Sequence, residues 1–153
     1  MTLVLCLLIG VIAGLRAMTA PAAVAWAAYL GWLPLSGTPF AFLAHIAAPC
    51  VFTVLALGEL VGDQLPKTPS RKVPMQFGTR IVMGALCGAA IAAPGGQLVI
   101  GLLAGVLGAV IGTLGGAAAR ARLAAAFGRD LPAGLIEDVI AIVGAWLIVG
   151  GAR

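Results

Sequence analysis

Apolar residues run along this chain in long blocks, and its few polar residues fall mostly between them. About 20 apolar residues carry an α-helix across a bilayer. The blocks divide the chain into five such spans, at residues 3–33, 40–62, 77–93, 97–127 and 131–151. The expected fold is therefore all-α, a polytopic membrane bundle of about five helices. The first and fourth blocks are too long for one crossing. Roughly 30 residues at 1.5 Å each make about 45 Å, against a hydrocarbon core near 30 Å. They must tilt, protrude or break. Gly14 and Pro21 in "GLRAMTAP", and the glycines of "GTLGGAAARAR", are the expected weak points.

These two blocks also resemble each other: "LLIGVIAG" (7–14) aligns with "LLAGVLGA" (102–109). In a five-span arrangement the copies run in opposite directions, and inverted repeats with interrupted helices are an architecture of secondary transporters. A chain dominated by Leu, Gly and Ala also produces short matches without duplication, so both readings stand.

Composition agrees with the pattern. The chain has 153 residues, 62% hydrophobic and 9% charged, with a mean hydropathy of +1.15. Soluble domains carry roughly 25% charged residues. So few polar groups could not cover a soluble fold, and residues 1–153 are expected to form a single transmembrane domain. The first charge, Arg16, follows the first apolar core instead of preceding it, which reads as a retained helix and not a cleaved signal. Cys6, Cys50 and Cys87 are odd in number, match no metal or redox spacing, and read as buried apolar filler.

The net charge of +4 needs no nucleic acid to explain it, because basic residues mark the cytoplasmic side of membrane proteins. Lys67, Arg71 and Lys72, with Arg80 beyond them, follow the second span, and Arg120, Arg122 and Arg129 end the fourth. The connections at 34–39 and 94–96 carry no charge. In a five-span chain this puts the N-terminus in the cytoplasm and the C-terminus outside.

The charged residues inside the spans are the candidate site. Arg16 lies roughly 20 Å along its helix, near the bilayer midplane. An arginine there pairs with an acid, faces a water-filled cavity, or snorkels to an interface; Glu59 and Asp63 are the candidate partners. Those two acids are spaced i, i+4 on one helix face, which favours a cation between them: Arg16, Arg80, a metal ion or a shared proton. Pro66 and Pro69 then end the helix, and Lys67, Arg71 and Lys72 anchor the loop at the headgroups. Asp130 reads as the N-cap of the fifth span, with Pro132 in its first turn. Glu137 and Asp138 lie deeper and should point inward, about 100° apart, toward Arg80 or Arg16.

Other polar signals are bland. His45 reads as an interfacial residue, and Trp26, Tyr29 and Trp32 as an aromatic belt. Gly101, Gly105 and Ala109, and Gly84 with Gly88, form small-residue faces suited to close helix packing or a homodimer. No nucleophile-and-base set, phosphate loop, HExxH or CxxC is present, so neither an enzyme nor a cofactor is expected.

The combination of "GLRAMTAPAAVAWAA", "GELVGDQLPKTPSR", the arginine opening "RIVMGALCGAA", and "LIEDVIAI" resembles domain-of-unknown-function family 4126, small bacterial membrane proteins. The resemblance covers nearly the whole chain. It implies a bacterial inner-membrane location and a shared architecture, and it carries no activity or substrate. Arg16, Glu59, Asp63, Pro66, Pro69, Arg71, Arg80, Glu137 and Asp138 match the recurring pattern.

The functional expectation is a small transporter or channel for a cation or proton-coupled solute, as a homodimer. Arg16, Glu59, Asp63, Arg80, Glu137 and Asp138 would form its pathway, with Glu59 and Asp63 as the candidate metal ligands. Two alternatives use the same residues differently. Lys67, Arg71, Lys72 and Arg80 could hold an anionic lipid, or the charges could pair to hold a structural assembly together.

Overall fold

The computed structural model describes residues 1–64 and 73–152. Six α-helices and no strand occur among them. These are α1 (Thr2–Leu15), α2 (Thr19–Tyr29), α3 (Ala47–Gly62), α4 (Pro74–Ala92), α5 (Leu98–Phe127) and α6 (Asp130–Gly150). The fold is all-α as expected. Three segments, α4 with the turn after it, α5 and α6, are long and apolar enough to cross a membrane. The apolar helices α1 and α3 are shorter, at 14 and 16 residues.

The first apolar block is a hairpin, not one long span. α1 stops at Leu15, and Arg16 is extended, with φ −138° and ψ 110°. Pro21 explains the stop. Inside a continuous helix its ring would strike the carbonyl of residue 17 and remove a backbone bond, whereas in the first turn of a new helix it costs little. The chain then doubles back. Met1, Thr2 and Leu5 line a cavity of about 300 Å³ together with Leu33 and Pro34. The open ends of the hairpin thus sit side by side, and its tip, residues 16–18, lies inside the bundle.

Pro94, Gly151 and Ala152 line the same cavity. Met1 and Ala152 are therefore at one end of the molecule, whereas the five-span count put the termini on opposite sides. The count differs because the hairpin enters and leaves by the same face. From there α3 runs to the far end, α4 returns, α5 runs out again and α6 comes back.

The fourth block shows the opposite outcome. Its glycines do not break it, and α5 is one continuous helix of 30 residues, about 45 Å long at 1.5 Å per residue. It ends only at Gly128, whose φ of +67° is the left-handed conformation that glycine adopts freely. Gly101, Gly105, Gly108 and Gly112 are buried contact points. A Cβ on Gly105 would overlap the carbonyl of Gly84 on α4, and one on Gly108 would overlap the carbonyl of Leu7 on α1. The small-residue faces read from the sequence thus pack against each other within one chain.

The same contacts fix direction. Gly10 meets Gly105, and Gly14 meets Gly112 and Thr113. The two similar segments therefore lie side by side and parallel, not inverted as the five-span arrangement required. α4 runs antiparallel to both, with Gly84 and Gly88 against Gly105 and Gly101.

The α2 helix is buried almost all round, from Thr19 to Ala28, because it stands among α1, α3, α4 and α6. Its alanines let four neighbours approach. Cys6 and Cys87 are buried in the core, as expected of filler, with the Cys6 thiol donating to the Gly88 carbonyl at 3.3 Å. Cys50 is exposed on the outer face of α3, contrary to expectation.

Candidate functional site

A helix that ends inside a membrane bundle leaves backbone groups without partners. α1 presents free carbonyls at its C-terminus and α2 presents free amides at its N-terminus, each with the matching end of the helix dipole. The hydrocarbon tails of a bilayer offer no hydrogen-bonding group that could satisfy them. Side chains from α3 and α4 do so. The Arg80 guanidinium donates to the carbonyls of Gly14 at 2.8 Å and Leu15 at 2.6 Å. The Glu59 carboxylate accepts from the amides of Ala17 at 2.7 Å and Met18 at 2.8 Å. Arg80 and Glu59 then meet each other at 3.5 Å. A cation caps the negative helix end, an anion caps the positive one, and the pair closes the gap. The Thr113 hydroxyl adds a contact 3.3 Å from the Gly14 carbonyl and 2.7 Å from that of Ala109.

Arg16 occupies the tip itself and is wholly buried. It is ion-paired to Asp63 at the end of α3 and, at 2.5 Å, to Asp138 on α6. Both residues come from the expected set. Glu59 and Asp63 share their helix end, but each turns to its own arginine, so no metal ion is needed between them. No three His, Cys, Asp or Glu side chains among the described residues are placed to hold one.

Glu137 and Asp138 diverge as adjacent helical residues must. Asp138 reaches Arg16, while Glu137 lies 3.5 Å from Arg120 on α5. The sequence reading offered only Arg80 and Arg16 as counter-charges, so Arg120 was missed. It donates to both carboxylate oxygens of Asp130, at 3.0 and 2.6 Å, and to the Asp63 backbone carbonyl at 3.3 Å. It also stands 3.6 Å from the Asp63 carboxylate. Asp130 is correspondingly not the N-cap of α6. That position is held by Arg129, and Asp130 opens the first turn. Gln64 joins the network through Asp138 at 3.3 Å. Gly134 leaves room for this, since a Cβ there would come within 3.0 Å of Gln64 and 3.2 Å of Arg120.

The chain has five Asp and Glu residues: Asp63, Asp130, Glu137 and Asp138 form one network with Arg16 and Arg120, and Glu59 pairs with Arg80 at the same hairpin tip. Exposure falls along it. The Asp130 side chain is 62% exposed, Arg120 13% and Arg16 0%. The network thus starts at the surface at the end bearing Arg120 and Arg129 and finishes under the hairpin tip. Ile9, Ile12, Ala13 and Val24, earlier in α1 and later in α2 than the tip, belong to the buried apolar core.

Lys67, Arg71 and Lys72, together with Pro66 and Pro69, lie outside the described residues. His45 is exposed, and its Nδ1 accepts from the Ala47 amide at 3.3 Å, a local contact at the start of α3. Trp26 donates to the Thr53 hydroxyl at 3.0 Å and packs edge-on with Tyr29, while Trp32 packs edge-on with Trp146.

No protein of curated function and no solved structure matches this chain. One family does, over residues 3–150, which is all of the hairpin, the bundle and the charge network. The chain belongs to the family described as Domain of unknown function (DUF4126).

Proposed function

We propose that this protein is a small membrane transporter for a cation or a proton-coupled solute, and that the charge network beneath the hairpin tip is its pathway. The observation that carries this reading is the gathering of charge inside an apolar bundle: Asp63, Asp130, Glu137 and Asp138 collect around Arg16 and Arg120, from a side chain 62% exposed to one wholly buried. Charged groups placed inside a membrane bundle mark ion and proton pathways, and protonation or a bound cation would shift the pairing among these acids. The gradient of exposure from Asp130 to Arg16 gives that ion a route from one end only, as an alternating-access carrier requires in one of its states.

Within this reading the residues divide their work. Asp63, Glu137 and Asp138 bind the ion or proton, and Arg16 and Arg120 hold them apart. Glu59 and Arg80 keep the hairpin tip in place. Broken helices with functional groups at their tips are how many secondary transporters build such sites. We assign the end bearing Arg120, Arg122 and Arg129, where the segment carrying Lys67, Arg71 and Lys72 also begins and ends, to the cytoplasm of a bacterial cell. Met1 and Ala152 then face the opposite side.

The test is flux into liposomes containing the purified protein, read with internal reporters for protons and for mono- and divalent cations. Wild type should carry at least one of these ions. Asp138→Asn and Glu137→Gln should abolish the flux while the protein remains folded by circular dichroism. A wild-type protein that moves none of them would sink the proposal.

A further inference from the structure

A groove on the side of the bundle belongs neither to the charge network nor to the cavity near the termini. α2 packs against both α3 and α6, but α3 and α6 do not pack closely on each other. Between them is a cleft of about 190 Å³ that runs from Thr19 and Leu60 to Trp26 and Trp146. Its floor is built of the small side chains Ala22 and Ala23, with Ala56 and Ala145 on its walls. Along α2 it runs from Thr19 to Trp26, seven steps of 1.5 Å or about 10 Å.

The surroundings say what fills it. Leu57 and Val61 on α3, and Val139, Ile142 and Val143 on α6, are exposed apolar side chains on either side of the opening. In a membrane these faces meet hydrocarbon, and the cleft is continuous with them. An empty apolar cleft would forfeit the contacts that its lining could make. One end carries a polar mark. The Thr19 hydroxyl is buried and has no hydrogen-bond partner among the described residues. It stands about one helical turn from the end of α3, where the chain approaches the charged end of the bundle.

We propose that this groove binds one acyl chain of a membrane phospholipid, with the ester carbonyl at Thr19 and the hydrocarbon running toward Trp26 and Trp146. The carbonyl supplies the acceptor that the Thr19 hydroxyl lacks, since an unmade bond in an apolar setting is costly. The alanine floor supplies the width of one chain. The bound lipid separates α3 from α6 and seals the side of α2 next to the hairpin tip.

Tryptophan fluorescence provides the test, because Trp26 lines the groove. With Trp32→Phe and Trp146→Phe, Trp26 is the only indole left. The protein is placed in nanodiscs of phosphatidylglycerol with brominated chains, beside Ala22→Leu and Ala56→Leu versions that fill the groove. Bromine should quench Trp26 in the unfilled protein, and either filling substitution should remove that quenching. Quenching that is absent in the unfilled protein, or unchanged by filling in folded variants, overturns the proposal. Native mass spectrometry of the unfilled protein gives an independent reading. One phospholipid should stay with the chain after detergent exchange, and complete loss of lipid also overturns the proposal. Thr19→Val should weaken retention of ester-linked lipid and leave ether-linked lipid unaffected.

Discussion

α1 touches two very different surroundings within four turns. From Leu7 to Val11 it lies against α5 through backbone contacts at Gly105, Gly108 and Gly112, with no charged side chain in the seam. Three residues later, from Gly14 to Arg16, the contacts are charged: Arg80, Asp63 and Asp138. Both regions are buried in the same apolar bundle, so burial does not explain the difference. Continuity does. Through Ile12, whose carbonyl accepts from the Arg16 amide, the helix satisfies its own backbone, and close packing is all that the seam needs. Where the helix ends, amides and carbonyls are set free, and only charged side chains strong enough to replace a helical turn can take them up.

The harshest way to break this comparison is Arg16→Met. It removes the cation between Asp63 and Asp138, which takes from Asp138 its arginine partner and leaves Asp63 with Arg120 alone, 3.6 Å away. Breaking a buried ion pair from one side costs about 3–5 kcal/mol, which should appear as a large fall in the melting temperature in detergent. Adding Asp63→Asn and Asp138→Asn to the same protein should recover most of that loss, because nothing charged is then stranded. Ion flux should stay absent in the triple variant. Flux that returned along with stability would make the charges a structural device and not a pathway.

The glycine seam breaks in a different way. Gly105→Ala places a methyl group against the Gly84 carbonyl, and backbone cannot rotate aside as a side chain can. Overpacking of this kind costs roughly 1–3 kcal/mol. The loss should be insensitive to salt and should not be rescued by neutralising any acid. A salt-dependent loss would mean that the two regions are coupled.

How legible each region was follows from the same physics. The glycine seam could be read from spacing, because Gly84, Gly88, Gly101 and Gly105 recur at helical intervals and only close packing explains them. Arg16, Glu59, Asp63, Arg80, Glu137 and Asp138 could be read from the cost of placing charge inside an apolar block. The hairpin could not. Pro21 announces a break, but a kink and a reversal leave the same mark in sequence, and only tertiary contacts separate them. That one ambiguity set the termini at opposite ends and the two similar segments in opposite directions. Arg120 was lost to a different cause: it sits near Arg122 and Arg129 in a cluster that the positive-inside rule already explained. The excess of four inner acids over two inner bases was the signal that another cation was needed.

A smaller substitution sharpens the contrast within α5 itself. Gly115 lies in the same helix as Gly105, but a Cβ there would meet nothing within 4 Å. Gly115→Ala should therefore stabilise the protein, by about 0.5–1 kcal/mol, through the lower backbone entropy of alanine in the unfolded chain. Two Gly→Ala changes in one helix, ten residues apart, should thus move the melting temperature in opposite directions. Equal effects would show that the helix responds to glycine content and not to the seam.

The smallest effect is expected at the mouth of the charge network. Asp130 accepts two hydrogen bonds from Arg120, a bidentate pairing, yet its side chain is 62% exposed. Exposed ion pairs contribute about 0–1 kcal/mol, and Arg120 retains Glu137 and the Asp63 carbonyl after Asp130→Asn. The melting temperature should barely change. The small change that remains should vanish near 1 M salt, where charges are screened over about 3 Å. Arg16→Met, by contrast, should lose as much stability in high salt as in low, because the fully buried guanidinium is out of reach of screening ions. Measuring both variants across that salt range separates exposed from buried pairing within a single network. If Asp130→Asn proved as costly and as salt-resistant as Arg16→Met, the network would be closed to solvent at both ends, and ions would have no route in from Asp130.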